Sequence, residues 1–404
     1  MKLRISCSLV GLACLAGIVR GQDFVSAFTG SEPHSQPIAD AANEPFIGVT
    51  ADGTAVQGLY SLEGPEGESN TALVQAATEF LNSLTREQRE KVVFPVDSTE
   101  WRLWGNTRPF IRDGIGFDEL TEGQRDRAFE LMRTALSAKG FKTSRDIMRL
   151  NESLAELSGN RHLLSEWFYW LTIMGEPSDT APWGWQIDGH HLVINYFVLG
   201  NQVVMSPVFM GSEPVFADQG AYRGTTALVP EREKAYALYA SLTQQQRAVA
   251  LVPGDELPEP HGINFSRTSI EMGSDNAVIP YRGVRADALT AEQRTILLGV
   301  IEAFVSHNRD SYARIRMQEI EAHLDDTYFA WNRWDASLGS EDLFFFRIQS
   351  PVVIIEFDHQ GTIDIPGEPD DIPIRQHIHS IVRTPNGNDY GMELLRQHYE
   401  QIVH

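Results

Sequence analysis

The residues of this chain best suited to chemistry are histidines in two short clusters. His190 and His191 are adjacent within the aromatic and apolar block of residues 182–196, and His377 and His379 form a His-x-His pair near the C-terminus. Alternate residues of a strand face the same side. The His-x-His pair would therefore project together, whereas only one of the adjacent histidines can serve a given site. Neutral imidazoles at this spacing suit zinc, copper, iron or nickel.

A carboxylate that could complete such a site lies in an apolar strand. Glu356 interrupts the run of residues 352–357, where an unpaired charge would be costly. Added to His191, His377 and His379, it gives the three-His-plus-carboxylate or two-His-plus-carboxylate composition of catalytic metal sites. The pattern therefore predicts a divalent transition metal, zinc or iron, with Glu356 as a ligand or a general base.

Each of these residues also has an alternative interpretation. Glu356 could pair with Arg347 or Arg375, because buried charges are usually paired. His190 could form a hydrogen bond in the core, and the His-x-His pair could lie in a solvated loop. Without any metal, Glu356 with His190 or His191 would make an acid/base enzyme such as a lyase or isomerase.

The block of residues 182–196 also supplies candidate substrate contacts, namely Trp183, Trp185 and Asn195. Indole rings can stack on a ligand, although aromatic residues more often belong to a core. A cleft lined by these rings could hold a ligand without transforming it. A secreted binding protein is therefore the alternative from outside the enzymes.

Several catalytic motifs are missing from the sequence. It has no Gly-x-Ser-x-Gly elbow, no phosphate-binding glycine-rich loop, no His-Glu-x-x-His and no dinucleotide fingerprint after a strand. A hydrolase of this sequence cannot depend on a serine triad in that setting. It would need a metal ion or a carboxylate–histidine acid/base pair.

A repeated motif indicates the elements that position these residues. Leu-Thr-x-x-Gln-Arg begins at Leu84, Leu120, Leu242 and Leu289. Threonine at the N-cap with glutamine three residues later is a capping box, so each copy predicts a helix start. The copies form two pairs, whose corresponding members are 158 and 169 residues apart. This spacing indicates two related halves.

A second match, at a constant offset of 161 residues, supports the duplication. Residues 167–170 align with 328–331, and residues 187–196 align with 348–357. We expect each aromatic segment to be a helix and each following segment a strand, with Asn195 aligned with Glu356. The predicted fold is α+β: two related halves, each with helices followed by an antiparallel β-hairpin, packed as one pseudo-twofold body with the site in the cleft between them.

The N-terminus has the pattern of a secretory signal peptide over residues 1–21. Lys2 and Arg4 precede an apolar run at residues 5–19, which is shorter than the roughly 20 residues of a spanning helix. Both cysteines of the chain lie in this segment. We therefore expect a secreted or periplasmic protein that folds without disulfides.

Three further segments are predicted after the signal peptide. Residues 22–70 are rich in Gly, Ser, Pro and Asp and are expected to be a flexible N-terminal arm. Residues 71–225 form the first repeat half, and residues 226–404 form the second.

The charge of the chain limits its partners. It has 33 Lys and Arg against 55 Asp and Glu, a net charge of −22. This excess of negative charge disfavours nucleic acid and anionic membrane surfaces, so we expect no nucleic-acid partner and no stable membrane association. The expected partner is a small-molecule or oligomeric extracellular substrate.

Several sequence blocks carry a family resemblance. Besides residues 182–196 they are residues 206–214, 377–380, 383–385, 388–391 and the pattern Leu394-Leu395-x-x-His398-Tyr399. From about residue 72 onward the chain resembles the domain-of-unknown-function family numbered 3500, found in exported bacterial and fungal proteins. The family pattern is met at Gly189-His190-His191 and at the closing His-x-His. The resemblance implies a shared fold and a shared site, without an activity.

Together these observations favour an exported metal-dependent hydrolase. In this hypothesis His191, His377 and His379 bind the metal, and Glu356 and His190 are the catalytic groups.

Overall fold

The computed structural model describes residues 36–65, 67–107, 112–253, 267–333, 343–362, 364–368 and 372–401. The predicted signal peptide at residues 1–21 lies outside these ranges. Within them, no helix has the length and apolar character needed to cross a membrane.

Four of the ten described α-helices begin where the repeated motif predicts them. The ten helices are α1 (Gln36–Ala42), α2 (Thr71–Ser83), α3 (Arg86–Val92), α4 (Glu122–Ala135), α5 (Ala138–Ser158), α6 (Val229–Ser241), α7 (Gln244–Ala250), α8 (Ala291–Val305), α9 (Asp310–Ala322) and α10 (Met392–Gln401). Helices α3, α4, α7 and α8 each follow the threonine of one motif, and all four have a complete capping box. The reciprocal bonds satisfy backbone donors that a helix start leaves unpaired. The four predicted helix starts are confirmed.

One large mixed sheet forms the centre of the fold. Its strands are β1 (Val93–Phe94), β2 (Ile115–Gly116), β3 (Tyr169–Met174), β4 (Trp183–Gly189), β5 (Leu192–Leu199), β6 (Gln202–Ser212), β7 (Val284–Arg285), β8 (Tyr328–Arg333), β9 (Phe344–Gln349), β10 (Ile354–His359) and β11 (Ile378–Arg383). Their order is β1-β3-β4-β5-β6-β11-β10-β9-β8-β7, and β2 also pairs with β3. Strand β1 is parallel to β3, and β6 and β11 meet antiparallel near the middle. The predicted mixture of helices and sheet is confirmed.

The two aromatic segments are strands rather than the predicted helices. Tyr169–Met174 is β3 and Tyr328–Arg333 is β8, and all six residues of β3 are buried. A short apolar run buried on both faces has no period that separates strand from helix. Aromatic side chains also pack well on a pleated surface, which favours the strand.

Alternate residues of β5 supply the cores on the two sides of the sheet. Ile194 and Tyr196 pack with the helices in one buried cluster. Val193 and Phe197 belong to a second cluster, which includes Trp104 and Tyr390. Since side chains of a strand alternate between faces, the sheet is covered on both sides. The second face also carries the histidines described below.

The N-terminal segment expected to be a flexible arm makes specific contacts in its described part. Val49 is fully buried, and the backbone N–H of Thr50 donates to the carbonyl of Ala277 at 3.0 Å. The guanidinium of Arg102 donates to three backbone carbonyls of this segment, those of Ala41, Ala42 and Glu44. These bonds hold residues 41–50 in place, and Val49 packs in the core cluster on the second face of the sheet.

Candidate metal centre

Three buried imidazoles converge on one point of this face. The Nε2 atoms of His191, His377 and His379 lie 3.1 Å from one another on all three edges of a triangle. The exposed fractions of these residues are 3%, 0% and 5%. The structure thus brings together the three histidines that the sequence proposed as metal ligands.

His191 reaches the cluster from a tight turn. Gly189 pairs with Leu192 across the β4–β5 hairpin, so His190 and His191 form its two-residue turn. We expected both histidines inside one continuous strand, and this expectation is wrong. His191 has a φ of 65°, in the left-handed region. For a residue with a Cβ atom this conformation costs roughly 1–2 kcal/mol.

His377 and His379 come from the beginning of β11. His379 is opposite Gly211 of β6 in the antiparallel register, and His377 immediately precedes the strand. The two residues are one strand repeat apart, so their rings project to the same side as predicted. The β6–β11 pair therefore places two imidazoles beside the turn that carries His191.

Hydrogen bonds at the other ring nitrogens fix the protonation of two of these imidazoles. Nδ1 of His377 bonds to the carbonyl oxygen of Gly361, and Nδ1 of His379 lies 3.2 Å from a carboxylate oxygen of Glu271. Both partners can only accept, so each Nδ1 carries the proton. In the neutral imidazole, Nε2 is then an unprotonated lone pair.

Burial keeps His377 in this neutral form. Removal from water lowers the pKa of His377 below its usual value, and this influence exceeds the opposing one of the nearby Glu213 carboxylate. Lone pairs of Nε2 atoms only 3.1 Å apart repel unless a cation or a proton lies between them. Metal-binding histidines characteristically donate their second N–H to a carbonyl or carboxylate, as His377 and His379 do here.

Glu213 places a carboxylate on the Nε2 side of the histidine cluster. Its Oε2 lies 3.9 Å from Nε2 of His377, and its Oε1 accepts a hydrogen bond from the hydroxyl of Thr362. Ligand atoms of Glu213, His190 and His191 also lie within 4.8 Å of one another. Glu213 was not among the predicted site residues, although residues 206–214 were among the blocks that carry the family resemblance. Glu213 directly follows the long strand β6, so no alternation of residues along a strand marks it as a site residue.

Glu356 is engaged in a different interaction. Its carboxylate accepts from Nε of Arg347 at 2.7 Å and from the backbone N–H of Ser269 at 2.6 Å. Both side chains of the ion pair are at most 7% exposed. A buried carboxylate with a buried guanidinium and a backbone donor is a structural ion pair. The prediction of Glu356 as a metal ligand or base is wrong, and its pairing with Arg347 is the correct alternative.

His190 lies beside the cluster. Its ring stacks on that of His191 with centroids 3.8 Å apart, and its Nδ1 lies 2.8 Å from Oδ1 of Asn151. The amide nitrogen of Asn151 donates to the carbonyl of Ser165 at 2.8 Å, which orients the amide. Helix α5 thereby fixes the ring of His190 at the edge of the histidine triangle.

The predicted substrate contacts lie inside the protein. Trp183 and Trp185 are fully buried in the core on the helix side of the sheet, and Trp185 stacks on Tyr196. Asn195 is also fully buried, where its side chain bonds to Gln186 and to the carbonyl of Pro207. With no exposed ring surface, the two tryptophans stabilise the sheet rather than offer a stacking platform.

Comparison with known proteins identifies one family for this chain. The family model described as "Protein of unknown function (DUF3500)" matches residues 66–392. The chain belongs to this family, in agreement with the resemblance carried by its sequence blocks. Searches of curated proteins and of solved structures gave no match.

Proposed function

We propose that this chain is an exported, metal-dependent hydrolase that binds one divalent transition metal ion, zinc or iron, through His191, His377 and His379. The observation that carries the proposal is the triangle of Nε2 atoms with 3.1 Å edges. Two of its corners have Nδ1 protons committed to acceptors. Such an arrangement is unfavourable in neutral imidazoles until a cation is shared among the lone pairs.

The triangle fits the bond lengths of such an ion. A point about 2.0–2.1 Å from all three nitrogens, the usual zinc–nitrogen distance, would lie roughly 1 Å outside their plane. Three protein ligands leave a coordination position for water or substrate, as in catalytic zinc sites. Zinc bound in this way lowers the pKa of a water molecule to about 7.

In this proposal Glu213 takes the role that the sequence pattern predicted for Glu356. Thr362 donates to one oxygen of the carboxylate, and the other oxygen is directed toward the histidine cluster, 3.9 Å from Nε2 of His377. From there it can complete the ligand set or accept the proton of an attacking water. A general base must lie within hydrogen-bond reach of the proton it removes, directly or through one water.

Two alternatives make different predictions about metal. A metal-free lyase or isomerase, or a secreted protein that binds a ligand without turnover, would need no ion at the triangle. The lyase or isomerase alternative used Glu356 as its acid/base group, but the Glu356 carboxylate is held by Arg347. The position of Glu356 therefore favours neither alternative. Turnover of any substrate would exclude the pure binding protein.

Metal analysis of purified protein tests the proposal. We expect close to one equivalent of transition metal in protein purified without chelator, and its loss in His377→Ala. The matched control is His359→Gln, which alters another fully buried histidine whose ring bonds to Phe344 and is not part of the triangle. This control should retain the metal. Wild-type protein that folds and takes up no zinc, iron, copper or nickel would refute the proposal.

We propose further that the two halves arose by duplication and pack about a pseudo-twofold axis. Support comes from the sheet order, in which β2 to β6 and β7 to β11 each run inward, in chain order, from an edge of the sheet to the central β6–β11 pair. Matching hydrogen bonds add to it: Gln124 donates to the carbonyl of Ser83 at 2.9 Å, and Gln293 to that of Ser241 at 2.8 Å. Experimental coordinates in which β4 and β9 fail to superpose would contradict the duplication.

Export is proposed from the N-terminal pattern alone. Secretion or transfer to the periplasm, with cleavage near residue 21, would bring the chain to a small-molecule or oligomeric extracellular substrate. Mass spectrometry of the protein from culture medium or periplasm should give a chain without either cysteine. A protein that remains in the cytoplasm at full length would refute this part.

A further inference from the structure

The side-chain amide of Gln360 is a buried polar group with an unsatisfied donor. It is 1% exposed, and among the described residues its Nε2 has no hydrogen-bond partner. An unpaired buried amide donor costs roughly 1–3 kcal/mol. Such a cost suggests a partner that the folded chain does not supply.

The register of the sheet places Gln360 beside the histidine cluster. His359 pairs with Ile378 in the antiparallel β10–β11 ladder, and the N–H of Gln360 donates to the carbonyl of His377 at 3.0 Å. Gln360 is therefore opposite His377. Residues opposite each other in an antiparallel pair project to the same face.

The other polar residues on this face of β10 already have partners. Glu356 accepts from Arg347, and one oxygen of Asp358 accepts from the backbone N–H of Arg267 at 2.7 Å. Gln360 lies two residues beyond Asp358, on the same side of the chain. Of Glu356, Asp358 and Gln360, it is the one opposite His377 in the register. A buried amide donor without a hydrogen-bond partner among the described residues thus lies opposite His377, one of the proposed metal ligands.

We propose that Nε2 of Gln360 is the donor that stabilises the oxyanion of a carbonyl substrate, which makes the substrates carboxylic esters or amides. This inference rests on the proposed metal-dependent hydrolysis and names its substrate class. Asparagine and glutamine side chains commonly supply such donors. A donor aimed at a carbonyl oxygen suits an acyl group, whereas a glycoside would require a second carboxylic acid at the leaving oxygen.

The reaction then balances with water as the only co-reactant. The water oxygen forms a bond to the carbonyl carbon, Glu213 accepts the proton, and the electron pair of the carbonyl moves onto its oxygen. Gln360 donates to that oxygen. When the electron pair on that oxygen re-forms the carbonyl double bond, the bond from the carbon to the leaving oxygen or nitrogen breaks. The leaving group then takes the proton from Glu213.

Kinetics of Gln360→Leu and Gln360→Glu test the role of the donor. Both should lower kcat for p-nitrophenyl acetate by about 100- to 1,000-fold, because one oxyanion donor is lost. KM should change little, and metal content should stay at the wild-type value. Gln349→Leu is the matched control: it removes another buried amide, which donates to the carbonyl of Ile279, and should leave kcat unchanged.

A binding measurement gives a readout that does not depend on turnover. Methylphosphonate has tetrahedral anionic oxygens like the oxyanion, so calorimetry should show weaker binding to Gln360→Leu than to wild type. Equal affinity together with an unchanged kcat would overturn the role of Gln360.

A substrate panel tests the substrate class separately. Wild-type protein should hydrolyse a p-nitrophenyl ester or a p-nitroanilide and should not hydrolyse p-nitrophenyl phosphate or a p-nitrophenyl glycoside. Metal-loaded protein that turns over neither the ester nor the anilide would overturn this inference while leaving the metal site intact. Protein without any metal would instead refute the proposed function itself.

Discussion

Gly211 lies directly opposite His379 across the β6–β11 pair, and a Cβ atom at Gly211 would be only 3.0 Å from Cδ2 of His379. The same atom would be 3.0 Å from Cδ2 of His191 and 2.8 Å from the carbonyl oxygen of Ile378. The two imidazoles therefore occupy the space that any side chain at position 211 would need. The absence of that side chain lets the turn and the strand approach each other.

Gly211→Ala should open the histidine triangle. The added methyl group must displace one or both rings, so we expect metal affinity to fall at least tenfold, measured by competition with a chromogenic chelator. Gly299→Ala, in helix α8, is the control because a Cβ atom there meets nothing within 4 Å. It should bind metal normally and gain up to about 1 kcal/mol of stability. Unchanged metal affinity in Gly211→Ala would contradict the proposed geometry.

The two buried glutamates should respond differently to the same substitution. Glu356→Gln removes the charge that Arg347 requires and should destabilise the fold by roughly 3–5 kcal/mol, with little effect on the metal content of folded protein. Glu213→Gln should weaken metal binding or abolish turnover at a smaller cost in stability. Urea unfolding and metal analysis of both variants make the comparison. If Glu356→Gln instead lost metal or turnover while Glu213→Gln mainly lost stability, Glu356 rather than Glu213 would belong to the site.

Glu271 should tune the metal affinity through His379. Its carboxylate accepts from Nδ1 of His379 and from the hydroxyl of Thr268 at 2.6 Å. Glu271→Ala removes the acceptor that orients the ring and should lower metal affinity by about 10- to 100-fold. Glu271→Gln keeps an acceptor oxygen and should lose less. Equal affinities for both variants and wild type would show that this bond does not support the site.

The stability of the protein should fall on acidification partly because of His359. Burial lowers the pKa of His359 to about 3, against about 6.5 in the unfolded chain. Between these pH values the unfolded state binds one proton more than the folded state. Stability is therefore lost as pH falls, by about 1.4 kcal/mol per pH unit for this proton.

His359→Gln should remove that proton uptake. Its unfolding free energy, measured in urea from pH 7 to pH 4, should decline less steeply than that of the wild type. The two proteins are compared by the slope of unfolding free energy against pH, because the substitution also changes the stability at neutral pH. Parallel slopes would show that His359 does not contribute this dependence.

Much of the helical architecture follows from local sequence rules, and the strand order does not. Each Leu-Thr-x-x-Gln-Arg motif fixes a helix start because the capping bonds join residues only three positions apart. The aromatic segments at β3 and β8 carry no such local signal. Their strand conformation depends on neighbours such as β4 and β9, which are distant in sequence.

The site shows the same division between local and distant information. The pairing of His377 with His379 follows from strand alternation, which is local. The turn at His190–His191 and the proximity of Glu213 depend on how β4, β5 and β6 come together. Glu356 attracted attention as a charge in an apolar strand, but the sequence does not state which partner neutralises it.

The three proposed metal ligands come from two parts of the chain that are far apart in the sequence. His191 and His377 are separated by 186 positions, and the part of the chain before residue 377 contains only one of the three imidazoles. A chain truncated by proteolysis before residue 377 would retain β6 and the β4–β5 turn that carries His191 while losing two ligands. Metal retention would therefore distinguish the full-length protein from such fragments, even in samples where the fragment keeps helices α1 to α9.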